Sequence, residues 1–216
     1  MKEFVKNNSV YLGLYLLALL SAAYFLLSYN KILGHEMINY WVGNPVVDTF
    51  YKYFTHAGDG IFVFGLGFVI LMFNPKRGQY LIYSYLFAGL TSSAIKYFFN
   101  YVRPFHYFVY YRKHYTLNLV EGVEMLGERS FPSGHSTAAF VVFSALAFST
   151  EKKWAKVVFF IIAVNAAFSR MYLSQHWLVD ILTGSLIGIT YAIILYFAFY
   201  KSDKFNIKLS IFKSNQ

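Results

Sequence analysis

The sequence predicts an all-α fold, a bundle of six transmembrane helices with both termini in the cytoplasm, and three observations carry that expectation. Charged residues make up only 13% of the chain and hydrophobic residues 57%, far from the roughly 25% charge of a soluble domain. Six apolar runs, near residues 10–29, 60–73, 79–99, 134–149, 156–174 and 177–200, approach the ~20 residues that a helix needs to cross the hydrocarbon core. The basic residues sit between those runs and divide unequally between the two sides.

The first run follows Lys2 and Lys6. Ser21-Ala22-Ala23 has the small residues of a signal-peptidase site, but the apolar stretch continues through Phe25, Leu26 and Leu27, so it reads as an anchor that stays. Next, Asn44 and Pro45 form a helix start, and Val46, Val47, Phe50, Tyr51 and Phe54 mark one face. A short helix in the outer interface is expected there. The second run is short, with His56 and Asp59 placed at the interface. The third run ends near Lys96, the fourth opens at Pro132-Ser133-Gly134-His135, the fifth ends at Ser169-Arg170, and the sixth begins between His176 and Asp180. Beyond it, Phe205, Leu209 and Phe212, with Lys204 and Lys208 nearby, describe a tail that either rests on anionic lipid or stays disordered.

At 216 residues, with no repeat or low-complexity linker, the chain suits one domain spanning 1–216. It has no cysteine, which excludes a disulfide framework, a thiolate metal site and a cysteine nucleophile. A formal charge of +9 would suggest nucleic acid in a soluble protein. Here the cations lie in loops between apolar runs, so the expected partners are membrane lipids and not nucleic acid. Lys2, Lys6, Lys76, Arg77, Lys152, Lys153, Lys156, Lys201, Lys204, Lys208 and Lys213 fall on one side, against Lys31, Lys52, Arg112, Lys113 and Arg129 on the other once three motif cations are set aside. The positive-inside rule then places both termini in the cytoplasm and the motif residues at the outer face.

Those motifs are Lys96 with Arg103-Pro104, Pro132-Ser133-Gly134-His135, and Ser169-Arg170 followed by His176 and Asp180. Two arginines, a lysine, two histidines and a carboxylate are costly to desolvate at the ends of apolar helices, which points to an anion held there, phosphate being the obvious one. Ser133-Gly134-His135 opens a helix whose unpaired N–H groups and dipole favour an anion, Gly134 allows close backbone approach, and Pro132 needs no N–H. Lys96, Arg103 and Arg170 can surround a tetrahedral phosphoryl group from different helices. His176 and Asp180, four apart, share a helical face, so the carboxylate can hold one imidazole nitrogen while the other points outward to attack or to take a proton. His135 supplies a second proton-transfer group. Taken singly, an Arg-Pro, a Pro-Ser-Gly or a His–Asp pair is a common helix boundary or structural pair, and Arg170 could snorkel to the interface. Their conjunction at one membrane face is what points to a site.

These three segments resemble the signature of the type 2 phosphatidic acid phosphatases, integral-membrane members of a superfamily that also includes soluble acid phosphatases and vanadium haloperoxidases. All eleven specified identities are present in order between residues 96 and 180. The resemblance implies that Lys96, Arg103 and Arg170 bind phosphate, with Ser133 and Gly134 contributing through the helix start. It implies that His176 is the nucleophile forming a phosphohistidine, Asp180 its orienting partner and His135 the general acid, with no metal and no cofactor. The implied partner is a lipid phosphate: undecaprenyl pyrophosphate, phosphatidylglycerol phosphate, phosphatidic acid or a lipid A phosphate. An outer site in a compact chain suits the bacterial cytoplasmic membrane, with the site facing the periplasm or exterior. A lipid-to-lipid phosphotransferase and a non-catalytic lipid-phosphate transporter are the rival readings. His35, His56, His106 and His114 read as interfacial or loop histidines without a metal spacing. The aromatic stretch Phe105 to Tyr115 reads as an interfacial belt, with a headgroup lid as the alternative.

Overall fold

A computed structural model describes residues 1–201. Among them the fold is all-α, in the order α1 (Lys2–Ser28), α2 (Lys31–Asn39), α3 (Pro45–Phe54), a 3-10 turn (Thr55–Gly58), α4 (Gly60–Phe73), α5 (Pro75–Phe98), α6 (Pro104–Tyr111), α7 (Gly134–Phe148), α8 (Lys153–Tyr172) and α9 (Leu178–Tyr200). Each of the six apolar runs is a helix. The tail expected at Phe205, Leu209 and Phe212 lies outside the described residues.

By length and apolarity α1, α8 and α9 can each cross a membrane, and the pair Pro45–Gly58 and Gly60–Phe73, bent by 56°, makes a fourth when counted as one span. α5 has the length, at 24 residues, but tyrosine and serine dilute its hydropathy. α7 is only 15 residues long. The short helix expected from Asn44-Pro45 is α3, and Asn44 caps it by accepting the Val46 and Val47 N–H groups at 3.1 and 3.3 Å.

α7 is the centre of the bundle. Its residues from Ser136 to Phe148 are buried, Leu146 excepted, as expected of a helix apolar on every side. α9 runs parallel to α7 at close range because Gly184 and Gly188, one turn apart, face its backbone. A Cβ added to them would lie 2.5 Å from Ser133 O and 2.7 Å from Thr137 O, so only glycine permits this approach. Tyrosine hydroxyls tie the outer helices to this core: Tyr11 pairs with the Ser144 hydroxyl at 2.8 Å, Tyr15 with the Ser185 hydroxyl at 3.1 Å, and Tyr80 donates to the Ala192 carbonyl at 2.6 Å. At the end opposite the motifs, Lys156 is buried and donates to Asn8 Oδ1 and to Ala147 O, joining α1, α7 and α8.

Candidate active site

α5 and α8 end, and α6, α7 and α9 begin, at one pole of the bundle, and the motifs meet there for that reason. Lys96 lies in the last turn of α5, Arg103 caps α6, Ser133 caps α7, and Arg170 lies in the last turn of α8. After α8 the chain reverses so tightly that the Gln175 and His176 N–H groups both donate to Arg170 O, at 2.9 and 3.0 Å. His176 is thereby folded back over the arginine. The Asp180 carboxylate accepts the Trp177 N–H at 3.0 Å and closes the first turn of α9. Ser133 N–H donates to Asp180 O at 3.0 Å, fastening the starts of α7 and α9 together.

The His176 ring is 2% exposed and engaged at both nitrogens. Nδ1 stands 3.4 Å from Asp180 Oδ2 and 3.4 Å from Ser130 Oγ, and Ser130 itself donates to Asp180 Oδ2. Nε2 faces Arg103 Nη1 at 3.1 Å. A guanidinium can only donate, so Nε2 presents a lone pair and the ring proton sits on Nδ1, toward the carboxylate. Burial, reinforced by Arg103, Arg170 and Lys96, holds the imidazole well below its ordinary pKa, so the ring is neutral.

Around this ring three cations outnumber the two nearby carboxylates, Asp180 and Asp59. Arg103 and Arg170 are 6% and 5% exposed. Arg103 donates to Gln175 O at 2.8 Å and Arg170 to Thr55 Oγ1 at 2.7 Å, while the Nε of each has no partner among the described residues. Lys96 is half-buried. Among the described residues none of the three forms an ion pair. Such a cluster is unfavourable unless an anion joins it. The start of α7 adds donors: Ser133 Oγ takes the Ser136 N–H at 3.3 Å, whereas the Gly134 and His135 N–H groups have no acceptor among the described residues. A Cβ added to Gly134 would meet no heavy atom within 4 Å, so the space beside its Cα is open. His135, half-buried, makes no side-chain hydrogen bond among the described residues.

All eight predicted site residues therefore converge, and the structure adds Thr55, Ser130 and Gln175. Thr55 reaches the site because the 3-10 turn packs on α7, where a Cβ on Gly58 would lie 2.7 Å from His135 O. Gln175 is buried and pins its loop through Nε2 to Glu124 O at 3.0 Å. None of these three carries a spacing that sequence alone reveals, since their side-chain partners lie 46 to 115 residues away. His35 departs from its expected loop or interfacial setting: it lies in α2 and is fully buried. Among the described residues no group of three or more His, Asp or Glu is placed to hold a metal ion. Beside Asp180 lies a cavity of about 410 Å³ walled by Phe99, Tyr101, Phe131 and Trp177, with Lys31 at its edge.

The chain is similar to several known proteins. An undecaprenyl-diphosphatase of Sulfolobus acidocaldarius is 29% identical over 130 residues, 56% of this chain and 55% of that protein. The chain thus matches about half the length of that curated relative. Among solved structures, LpxE of Aquifex aeolicus superposes with a TM-score of 0.64 at 28% identity, covering 74% of this chain and 91% of its own. A transmembrane PAP2-type phosphatidylglycerolphosphate phosphatase of Bacillus subtilis gives a TM-score of 0.65 at 22% identity, covering 94% of this chain and 100% of its own, a likeness of fold. The PAP2 superfamily pattern matches residues 77–204, more than half the chain and every motif residue from Lys96 to Asp180; the chain belongs to the PAP2 superfamily.

Proposed function

We propose that this chain is a lipid phosphatase of the bacterial cytoplasmic membrane, crossing it six times, with both termini inside and the His176 site facing outward. One observation carries the chemistry: Lys96, Arg103 and Arg170, which form no ion pair among the described residues, surround a neutral imidazole beside two N–H groups of a helix start that have no acceptor there. The crossings are α1, α4, α5, α7, α8 and α9. α7, about 22 Å long at 1.5 Å per residue, is shorter than the hydrocarbon core but is wrapped by other helices and need not meet lipid along its length. The uneven basic residues set the orientation.

In this reading a phosphoryl group sits over the α7 N-terminus, and one of its oxygens takes over the Arg103 Nη1–H that His176 Nε2 accepts. His176 Nε2 attacks phosphorus, the bond to the leaving oxygen breaks, and His135 gives that oxygen a proton. Asp180 and Ser130 hold the Nδ1–H and stabilise the positive charge that develops on the ring. Lys96, Arg103, Arg170 and the two N–H groups neutralise the equatorial oxygens, which is most of what phosphoryl transfer requires of a protein. Water then attacks the phosphohistidine, losing its proton to His135, and the N–P bond breaks. The aromatic cavity beside Asp180 takes the first segment of the lipid chain. The relatives suggest undecaprenyl pyrophosphate or phosphatidylglycerol phosphate as substrate.

The test is phosphate release from a panel of lipid phosphates presented to the purified protein in detergent, with and without EDTA. Release should be independent of divalent metal, because side-chain cations supply the charge, and vanadate should inhibit as a mimic of the trigonal-bipyramidal transition state. Loss in EDTA restored by magnesium or zinc would overturn the mechanism. Transfer of phosphate to a second lipid without release would make the chain a phosphotransferase.

A further inference from the structure

We propose that His35, remote in sequence from every motif, is a positioning residue that fixes the loop carrying His176. α2 starts where Asn30 accepts the Ile32 and Leu33 N–H groups at 3.1 and 2.9 Å. It packs back against α1 at Gly34, where a Cβ would lie 2.7 Å from the Phe25 ring. This close docking turns the next side chain, His35, into the protein, where it has no solvent exposure. Its Nε2 lies 3.2 Å from Ser174 Oγ. Its ring meets Trp177 at 5.3 Å, in an edge-on arrangement, and Phe108 at 5.7 Å. Ser174 and Trp177 bracket Gln175 and His176, so one buried ring holds both ends of the segment that presents the nucleophile.

That segment needs holding. Ser174 has φ +54°, a left-handed conformation that a residue with a Cβ adopts only when its surroundings impose it. This turn is what lets the Gln175 and His176 N–H groups converge on Arg170 O. The Ser174 backbone is satisfied by Met171 O at 3.0 Å and by the Phe105 N–H at 3.4 Å. Its side chain has one partner among the described residues, His35. The imidazole suits the task because burial pushes its pKa down to about 4, leaving it neutral and able either to donate or to accept toward the hydroxyl. Nδ1, by contrast, has no partner among the described residues.

The catalytic consequence rests on the phosphohistidine reading, and the experiment keeps the two apart. The full chain in detergent is compared with His35→Phe, which keeps a ring and loses the hydrogen bond, His35→Gln, which restores a polar group near Nε2, and Ser174→Ala. Hydrogen exchange at the Gln175 and His176 amides should speed up at least about tenfold in His35→Phe and in Ser174→Ala, while α7 stays protected. kcat should fall by about 10–100-fold with KM little changed, as expected of a nucleophile moved by a fraction of an ångström. His35→Gln should recover most of both, and the double variant should be no worse than either single one. Unchanged exchange, a glutamine as poor as the phenylalanine, or faster exchange with unaltered kcat overturns the proposal. If exchange responds as expected but the wild-type chain releases no phosphate, the phosphatase reading fails and the role of His35 in holding the loop stands.

Discussion

Gly134→Ala separates stability from activity more sharply than any other single change. The added methyl meets no heavy atom within 4 Å, so it creates no clash in the protein. At the first position of α7 alanine replaces the residue with the most conformational freedom to lose, which should stabilise by up to about 1 kcal/mol. The thermal midpoint in detergent should therefore hold or rise slightly. Activity should move the other way, because the open space is the volume assigned to the phosphoryl group, above the free Gly134 and His135 N–H donors. Losing one such donor typically lowers kcat by about 10²–10³-fold, or ~2.7–4 kcal/mol, and a displaced phosphoryl group is expected to fall in that range. The assay is phosphate release across substrate concentration beside a melting curve, with Gly89→Ala as control, since a Cβ there also meets nothing within 4 Å. A Gly134→Ala protein with wild-type kcat/KM would refute the placement of phosphate on the α7 N-terminus. A large fall in melting temperature would refute the reading of the space as open.

The acid limb of kcat/KM should lie below pH 6.5, because burial and three cations depress the His176 pKa from that value and only the neutral ring attacks. Arg103→Gln removes the nearest cation and should shift that limb to higher pH, besides slowing turnover; an unmoved limb would mean another group sets it. For topology, Lys113→Cys in intact cells should react with an impermeant thiol reagent and Lys153→Cys should not, a test made simple by the absence of native cysteine; reversed labelling would turn the site inward. With an aryl phosphate, His176→Ala should form no phosphoenzyme, whereas His135→Ala should accumulate an acid-labile one, since a good leaving group needs no proton but the second step still needs a base. Asp180→Asn should lower the rate by roughly 10²–10⁴-fold through a misoriented imidazole, and label on any residue but His176 would reverse the assignment of the nucleophile.

The helices and the site cations were legible in the sequence for related reasons. An apolar run of near-membrane length has few alternatives to a helix, because every N–H and C=O must be satisfied within the segment. Lys96, Arg103 and Arg170 stand out against that background because no carboxylate adjacent in sequence explains them, and the proposed function meets their cost with a bound anion. The count of crossings was less legible: α4 and α7, at 14 and 15 residues, are shorter than a lipid-facing span, and composition does not show that α7 is enclosed by other helices.

Thr55, Ser130 and His35 were hidden for the opposite reason. Each is a polar group that makes its hydrogen bond to a distant part of the chain, and such a bond leaves no anomaly in a linear sequence. Their partners Arg170, Asp180 and Ser174 lie 115, 50 and 139 residues away, and only the close packing of α7 on α9, together with the docking of the 3-10 turn and α2, brings them within reach. In the proposed reading the first group points to what the protein binds, because its charges are unbalanced until the ligand arrives. The second determines whether the bound group meets His176 in line, because a neutral imidazole gains its direction from the groups behind it and not from its own charge. Changes in the first group should therefore act on phosphate affinity as well as rate, and changes in the second on kcat almost alone.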